Sequence, residues 1–348
     1  MFRGGTERTG YYQTVAIASP GRVRWRRPTG GSIYSSPAVW GNRLYTANNN
    51  GALVALDASS GSEIWRFQST GNTLRSSPAV ADNTVFVGGG HGTIDDPNFY
   101  AVDATTGQLR WKLKTAGSFD ASPAFSNGVV YCADSTGYVY AIRADSGSVI
   151  WRSSVGGIVT SSPALSDGIL YVASDSGQAT AIDAYTGHVL WNRRVGKGFI
   201  ATPAVAGSTV YFLGSTALYA LKSNGGDLVW SESLKGGLPS PALGPEDIFA
   251  LGIDGSLSAR SELTGQLIWS RQLGGVAAAS PALVGATLYV CLATGDPAVS
   301  GAILALDSTN GHTEWELDFD SKIFSSPVIA NGTLYVGDWQ EGAVLAIS

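Results

Sequence analysis

The sequence predicts an all-β chain: a single eight-bladed β-propeller of four-stranded antiparallel blades, its ring closed by an N-terminal strand that completes the last blade. Three observations predict it. First, Trp25, Trp65, Trp111, Trp151, Trp191, Trp230, Trp269 and Trp315 recur at intervals of 40, 46, 40, 40, 39, 39 and 46 residues, within the range of a propeller blade. Second, each of these tryptophans stands four residues after a glycine, from Gly21 to Gly311. Three more markers recur eight times in fixed order. They are a proline after a small residue (Pro37 to Pro327), an aromatic in an apolar run (Tyr45 to Tyr335) and an alanine (Ala55 to Ala346). Third, Gly21-Arg-Val-Arg-Trp25 is a fourth strand with no first three, and Val344-Leu-Ala-Ile-Ser348 is a third strand with no fourth. Joining them closes a ring of eight and removes the open edges of a linear array.

Composition agrees. Of 348 residues 45 are Gly and only 14% are charged, while 44% are hydrophobic. Average usage is about 25% charged, so this chain fits many short packed strands joined by tight turns. Its apolar content excludes a disordered chain. A net charge of −5 with no long basic run argues against a nucleic-acid partner. No run of about 18 apolar residues predicts a membrane span. Two cysteines and three histidines are too few for a disulfide scaffold or a Cys-rich zinc site. A monomer is expected.

The fourth unit shows how each blade is built. Val159–Leu165, Gly168–Ser174, Gln178–Asp183 and His188–Trp191 read as four strands. Ser-Asp-Gly, Asp-Ser-Gly and Thr-Gly supply the turns between them. One such unit cannot bury its own apolar faces, so all eight stack as one domain. The expected layout is an N-terminal extension over 1–20 and the propeller over 21–348, with the last blade formed by 322–348 plus 21–27. The tryptophans are expected to wedge between blades. Blades 3, 5 and 6 carry Arg143, Lys222 and Ser261 where others have Asp, so their docking is expected to be weaker or different. Cys132 and Cys291 fall four blades apart, too far for a disulfide, and read as small buried hydrophobes.

These residues resemble a known family. Asp183-Ala-Tyr-Thr-Gly187 with Trp191, Asp57 to Gly61 with Trp65, and Asp103 to Gly107 with Trp111 look like the tryptophan-docking repeat of PQQ-like propellers. Phe2-Arg-Gly-Gly-Thr-Glu-Arg-Thr-Gly10 is similar to the stretch that often precedes such rings. The family includes quinoprotein alcohol dehydrogenases, BamB-like outer-membrane assembly scaffolds and extracytoplasmic sensor regions of bacterial kinases. For the dehydrogenases the resemblance implies PQQ, an adjacent Cys-Cys disulfide and calcium-binding acids. This chain lacks that cysteine pair, so no cofactor is expected. The resemblance implies an extracytoplasmic location. No apolar leader segment follows Met1, so a signal peptide is expected to be removed or absent. The lipid-anchor cysteine of BamB-like proteins has no counterpart here.

Departures from the repeat locate a candidate site. Blade 2 has an insertion over Gly88–Asn98 and blade 7 one over Ala293–Ser300, both between the second and third strands. Blade 8 places Gly337-Asp338-Trp339-Gln-Glu341 in the equivalent loop, and blade 1 places Asn48-Asn49-Asn50 there. Blades 7, 8, 1 and 2 are consecutive, so these loops form one decorated arc on one face. Three residues before each marker proline, blades 8, 1, 2 and 3 carry Phe324, Tyr34, Arg75 and Asp120. The expected ligand-binding pocket at the channel mouth is built from Tyr34, Arg75, Asp120, Lys322 and Phe324. His91, Asp95, Asp96 and Trp339 form its wall. The same residues also read as an Arg75–Asp120 surface ion pair with Trp339 packed under its own loop. Asp95-Asp96 alone do not make a calcium site, and no catalytic set can be assembled from spacing.

Function is therefore expected to be non-enzymatic: a scaffold binding a protein, peptide or small-molecule ligand through the arc of blades 7, 8, 1 and 2. An enzyme with a small-molecule pocket over the channel is one alternative. The extracytoplasmic sensor domain of a larger receptor is the other.

Overall fold

The computed structural model describes residues 2–17, 21–71, 73–90, 97–196, 198, 201–234, 239–294 and 300–348. These build eight four-stranded antiparallel sheets, seven of them running in chain order from the innermost strand outward. Blade 1 comprises Ala38–Trp40, Arg43–Ala47, Ala52–Asp57 and Glu63–Gln68. In blade 8 the strands Val328–Ala330, Thr333–Gly337 and Ala343–Ile347 are completed by Val23–Pro28, which pairs antiparallel with Ala343–Ile347. The ring is closed as the sequence predicts. In blade 1 the two middle strands are buried, while Glu63–Gln68 alternates mostly exposed and buried positions at the rim.

Two hydrogen-bond systems join the blades. In the outer one, tryptophan Nε1–H groups cross to the next blade. Trp25 donates to the Ala58 carbonyl at 3.2 Å, Trp65 to Ala104 at 3.0 Å and Trp151 to Ala184 at 3.0 Å. Each marker tryptophan also lies against the marker aromatic of its own blade, as Tyr45 does Trp65 at 5.8 Å between ring centroids. The glycine four residues before each tryptophan is fixed by this contact. A Cβ on Gly61 would stand 2.6 Å from the Trp25 ring, and one on Gly107 2.7 Å from Trp65, with φ positive at both. At the junction of the chain ends, Trp315 packs on Gly21 in the same manner.

The expectation of weaker docking in blades 3, 5 and 6 is not met. The indole acceptor is the backbone carbonyl of the residue after Arg143, Lys222 or Ser261. Trp111 reaches Ala144 at 2.8 Å, Trp191 reaches Ser223 at 2.8 Å and Trp230 reaches Glu262 at 3.1 Å. A backbone acceptor does not depend on the side chain before it. The aspartate, where present, caps its own turn instead. Asp103 Oδ1 accepts the N–H groups of Thr105 and Thr106 at 2.9 and 2.8 Å, and Arg110 meets Oδ2 at 2.7 Å. The hydrogen bond from Arg110, with these N–H groups, pulls the Asp103 pKa down to about 2.

The inner system is a closed circuit around the channel. The backbone N–H of Ser36 donates to Ser77 Oγ, Ser77 to Ser122, Ser122 to Ser162, and Ser162 to Thr202. Thr202 donates to Ser240, Ser240 to Ser280, Ser280 to Ser326, and Ser326 back to Ser36, all at 2.9–3.2 Å. This explains the small residue before each marker proline. It also corrects the strand limits. The first strand of blade 4 is Ala164–Ser166, not Val159–Leu165, because the Ser162 N–H is committed to the next blade and Pro163 has none to give. The fourth strand runs past Trp191 as Val189–Arg194.

The N-terminal segment crosses one end of this channel. Carbonyls of Thr6, Glu7, Thr9 and Gly10 accept the N–H groups of Leu165, Val205, Leu243 and Leu283, on the innermost strands of blades 4 to 7. Arg8 is fully buried and donates to the carbonyls of Pro163, Ser122 and Pro123 at 3.1, 3.2 and 2.6 Å. Arg3, 2% exposed, donates to the Pro241 carbonyl. Thr14 Oγ1 accepts the N–H of Asn331, in the turn after the first strand of blade 8. The segment therefore occupies the end at which the first strands finish.

Candidate functional site

At the opposite mouth, where the first strands begin, blades 8 and 1 bring together the candidate side chains. The Gly337–Glu341 loop is anchored by charge. Asp338 is fully buried, and Arg26 on the closing strand donates to its Oδ2 at 2.8 Å. Arg26 also meets Glu341 at 2.7 Å and Asp320 at 3.8 Å. Burial opposes the charge on Arg26, but these carboxylates outweigh it and hold the pKa above its ordinary value. Asp338 Oδ1 caps the loop by accepting the Glu341 N–H at 2.8 Å. A glycine at 337 is required, because a Cβ there would lie 2.2 Å from the Ile33 side chain. The Trp339 N–H donates to the Lys322 carbonyl at 2.9 Å, and Gln340 Oε1 accepts the Lys322 N–H at 3.2 Å.

This anchoring delivers Trp339 to the channel mouth. Tyr34 and Phe324 stack there, 5.7 Å apart and 6° from parallel. Trp339 meets both edge-on, at 6.3 Å from Tyr34 and 5.8 Å from Phe324. Arg75 of blade 2 places its guanidinium carbon 4.4 Å from the Tyr34 ring centre. All four side chains are half-buried. Aromatic pairs of this kind contribute about 0.5–1.5 kcal/mol each beyond area burial, and the cation–π contact about 0.5–2 kcal/mol according to its solvation. The cluster is thus pre-formed while keeping part of its surface open.

The structure therefore brings Tyr34, Arg75, Phe324 and Trp339 into contact. Lys322 takes part through its backbone. Asp120 is half-buried at the same repeat position one blade beyond Arg75. His91, Asp95 and Asp96 lie outside the described residues. Asn48, in the decorated loop of blade 1, is a fully buried turn residue. Its Oδ1 accepts the N–H groups of Asn50 and Ala52 at 3.0 Å. Sequence reasoning missed Arg26 and the structural role of Asp338. An aspartate directly after the second strand, opposite an arginine on the closing strand, was the available signal.

The site offers planar apolar faces, an indole and a cation. Among its described residues no nucleophile stands beside a base. Among the described residues, no group of three or more His, Cys, Asp or Glu is placed to hold a metal. The described donor set does not fit a calcium–quinone site. Cys132 and Cys291 are free and fully buried on blades 3 and 7, and burial raises both thiol pKa values. Among the described residues, no helix is long and apolar enough to cross a membrane.

Residues 7–94, 49–142 and 135–348 match the family described as outer membrane protein assembly factor BamB. The BamB of Yersinia pestis is 27% identical over 343 residues, covering 92% of this chain and 76% of that protein. The match to the BamB of Moranella endobia is 29% identical over 118 residues, which span 31% of this chain and 30% of that protein. The crystal structure of BamB from Moraxella catarrhalis superposes with a TM-score of 0.79 at 19% identity, over 95% of this chain and 98% of that one. Quinohemoprotein alcohol dehydrogenase from Comamonas testosteroni reaches 0.82 at 12% identity, over 99% and 79%. At such identities the two structures share the fold with this chain and nothing further follows from them.

Proposed function

The chain belongs to the family of the outer membrane protein assembly factor BamB, and on that footing we propose that it is a non-enzymatic, protein-binding scaffold of the outer-membrane assembly kind. Its docking face is the channel mouth of blades 8, 1 and 2, and it works outside the cytoplasm. The observation that carries this reading is the half-exposed cluster of Tyr34, Phe324, Trp339 and Arg75. Tyr, Trp and Arg are the residues that dominate binding energy at protein interfaces. A rigid support lowers the entropy cost of binding. Here the closed serine circuit and the Arg26–Asp338 pair supply that support. The reading calls for no cofactor.

Alanine at Arg75 and at Trp339, in the full chain, tests it through co-purification of partner proteins from the native membrane fraction. Each substitution is expected to lower partner recovery at least tenfold with little change in unfolding temperature. Unchanged recovery in both variants overturns the docking face.

A further inference from the structure

One blade junction is broken from the inside. In the third strand, the residue after the marker alanine is a fully buried aliphatic in seven blades, from Leu56 in the first to Ile347 in the eighth. In blade 6 it is Arg260. Two residues earlier, where blade 2 has Tyr100 and blade 7 has Leu304, blade 6 has Ser258, and Ser256 precedes that. Alternation puts these three on one face. Ser256 and Ser258 pair with Gln272 and Ser270 of the outer strand Leu267–Gln272.

Elsewhere that face packs on the preceding blade. Tyr100 and Val102 join the core of blade 1, and Leu304 and Leu306 join that of blade 6. Among the described residues, the core between blades 5 and 6 instead takes only Leu243, Ile248 and Ala250 from blade 6, all from its first two strands. What remains is a cleft of about 490 Å3, walled by Ser258, Arg260, Ser270 and Gln272 on one side and Leu234 on the other. That volume lies within the usual range of small-molecule sites, about 300–1,000 Å3.

Arg260 is not accounted for by its protein partners. Its side chain is 11% exposed. Nη1 donates to the Gly265 carbonyl at 3.0 Å and meets Glu232, a more exposed residue, at 3.3 Å. Among the described residues the buried Nε–H has no acceptor. A buried donor left unmade is costly, and seven blades show that an aliphatic residue fills this position without that cost. Arg260 and Arg271 at the cleft are balanced by Asp254 and by Glu232, the partner of Arg260, and this neutral sum disfavours a multiply charged anion.

We infer that the cleft between blades 5 and 6 binds a small hydroxylated monocarboxylate, with its carboxylate accepting the Arg260 Nε–H and its hydroxyls on Ser258, Ser270 and Gln272. This site is separate from the docking face and does not depend on it.

Thermal unfolding and calorimetric titration of the full chain, with gluconate at matched ionic strength, test the assignment. Glucose and inorganic phosphate serve as the neutral and multiply charged controls. Gluconate is expected to bind saturably and raise Tm, while neither control does. Arg260→Leu restores the residue of the other blades. It is expected to fold with a Tm at or above that of the parent and to lose the gluconate response. Arg260→Lys keeps the charge without the Nε–H and is expected to weaken binding at least tenfold. No saturable gluconate binding, or an equal response in Arg260→Leu, overturns the site. A response to phosphate alone overturns the monocarboxylate assignment.

Discussion

The two ends of the central channel are finished in opposite ways. At one end, residues 6–10 lie along the innermost strands of blades 4 to 7, and the buried Arg8 side chain donates to carbonyls of blades 3 and 4. The chain covers its own strand surface there. At the other end, Tyr34, Phe324 and Trp339 stack on one another and on Arg75, yet all stay half-exposed. The repeat contributes the same backbone groups and hydroxyls at every blade. The difference arises from residues outside the strands: a plug at one mouth and a preassembled aromatic surface at the other. One end is filled by the chain itself, and at the other the described aromatic cluster keeps part of its surface exposed.

Substitutions can break this contrast, beginning with the scaffold shared by both ends. Trp65→Ala empties a buried interblade site and is expected to cost about 3–5 kcal/mol in urea unfolding. Arg8→Leu strips charged donors from three carbonyls. It is expected to cost about 1.5–3 kcal/mol, with faster hydrogen exchange at Leu165 and Val205, while partner binding is unchanged. Trp339→Ala is the mirror image. It is expected to cost about 1 kcal/mol in stability, since two edge-on ring contacts are lost, yet to weaken partner binding about 30-fold, as loss of a hot spot of about 2 kcal/mol does.

Smaller effects sharpen the account. The Asp103 pKa falls to about 2 in the fold, against about 3.9 in an unfolded chain. The folded state then holds fewer protons. The stability from this turn is present above about pH 4 and lost as pH falls through 2. Because the pair is partly exposed, a few tenths of a kcal/mol are expected, and Asp103→Asn should flatten the acid limb of the stability profile by that amount. PQQ with calcium is expected to leave Tm unchanged. A saturable rise would show that the propeller holds a quinone.

Ring order, blade number and closure were legible because each rests on a repeated local requirement. Glycine must admit the neighbouring indole, a small hydroxyl residue must close the inner circuit, and a proline must follow it. The aromatic cluster was legible in part, since Tyr34, Arg75 and Phe324 share one fixed repeat position in neighbouring blades. What escaped was non-periodic and long-range. Arg26 reaches Asp338 across 312 positions of chain. Arg8 finds its acceptors 114 to 155 positions away. No spacing rule carries such contacts. Arg260 was visible as a charge in an aliphatic column, but only the packing of the neighbouring columns gives that break a meaning.

One chemical probe at two tryptophans tests whether the two mouths differ in function. Trp40 ends the first strand of blade 1 at the plugged end and is 43% exposed, whereas Trp339 stands at the open one. Benzoylphenylalanine, a photo-crosslinking residue that keeps an aromatic ring, is placed at either position in the full chain within its native cells. A discrete protein adduct is expected from position 339, abolished by Tyr34→Ala, and none from position 40. Equal adducts from both positions, or an adduct at 339 that survives Tyr34→Ala, would contradict a functional difference between the mouths.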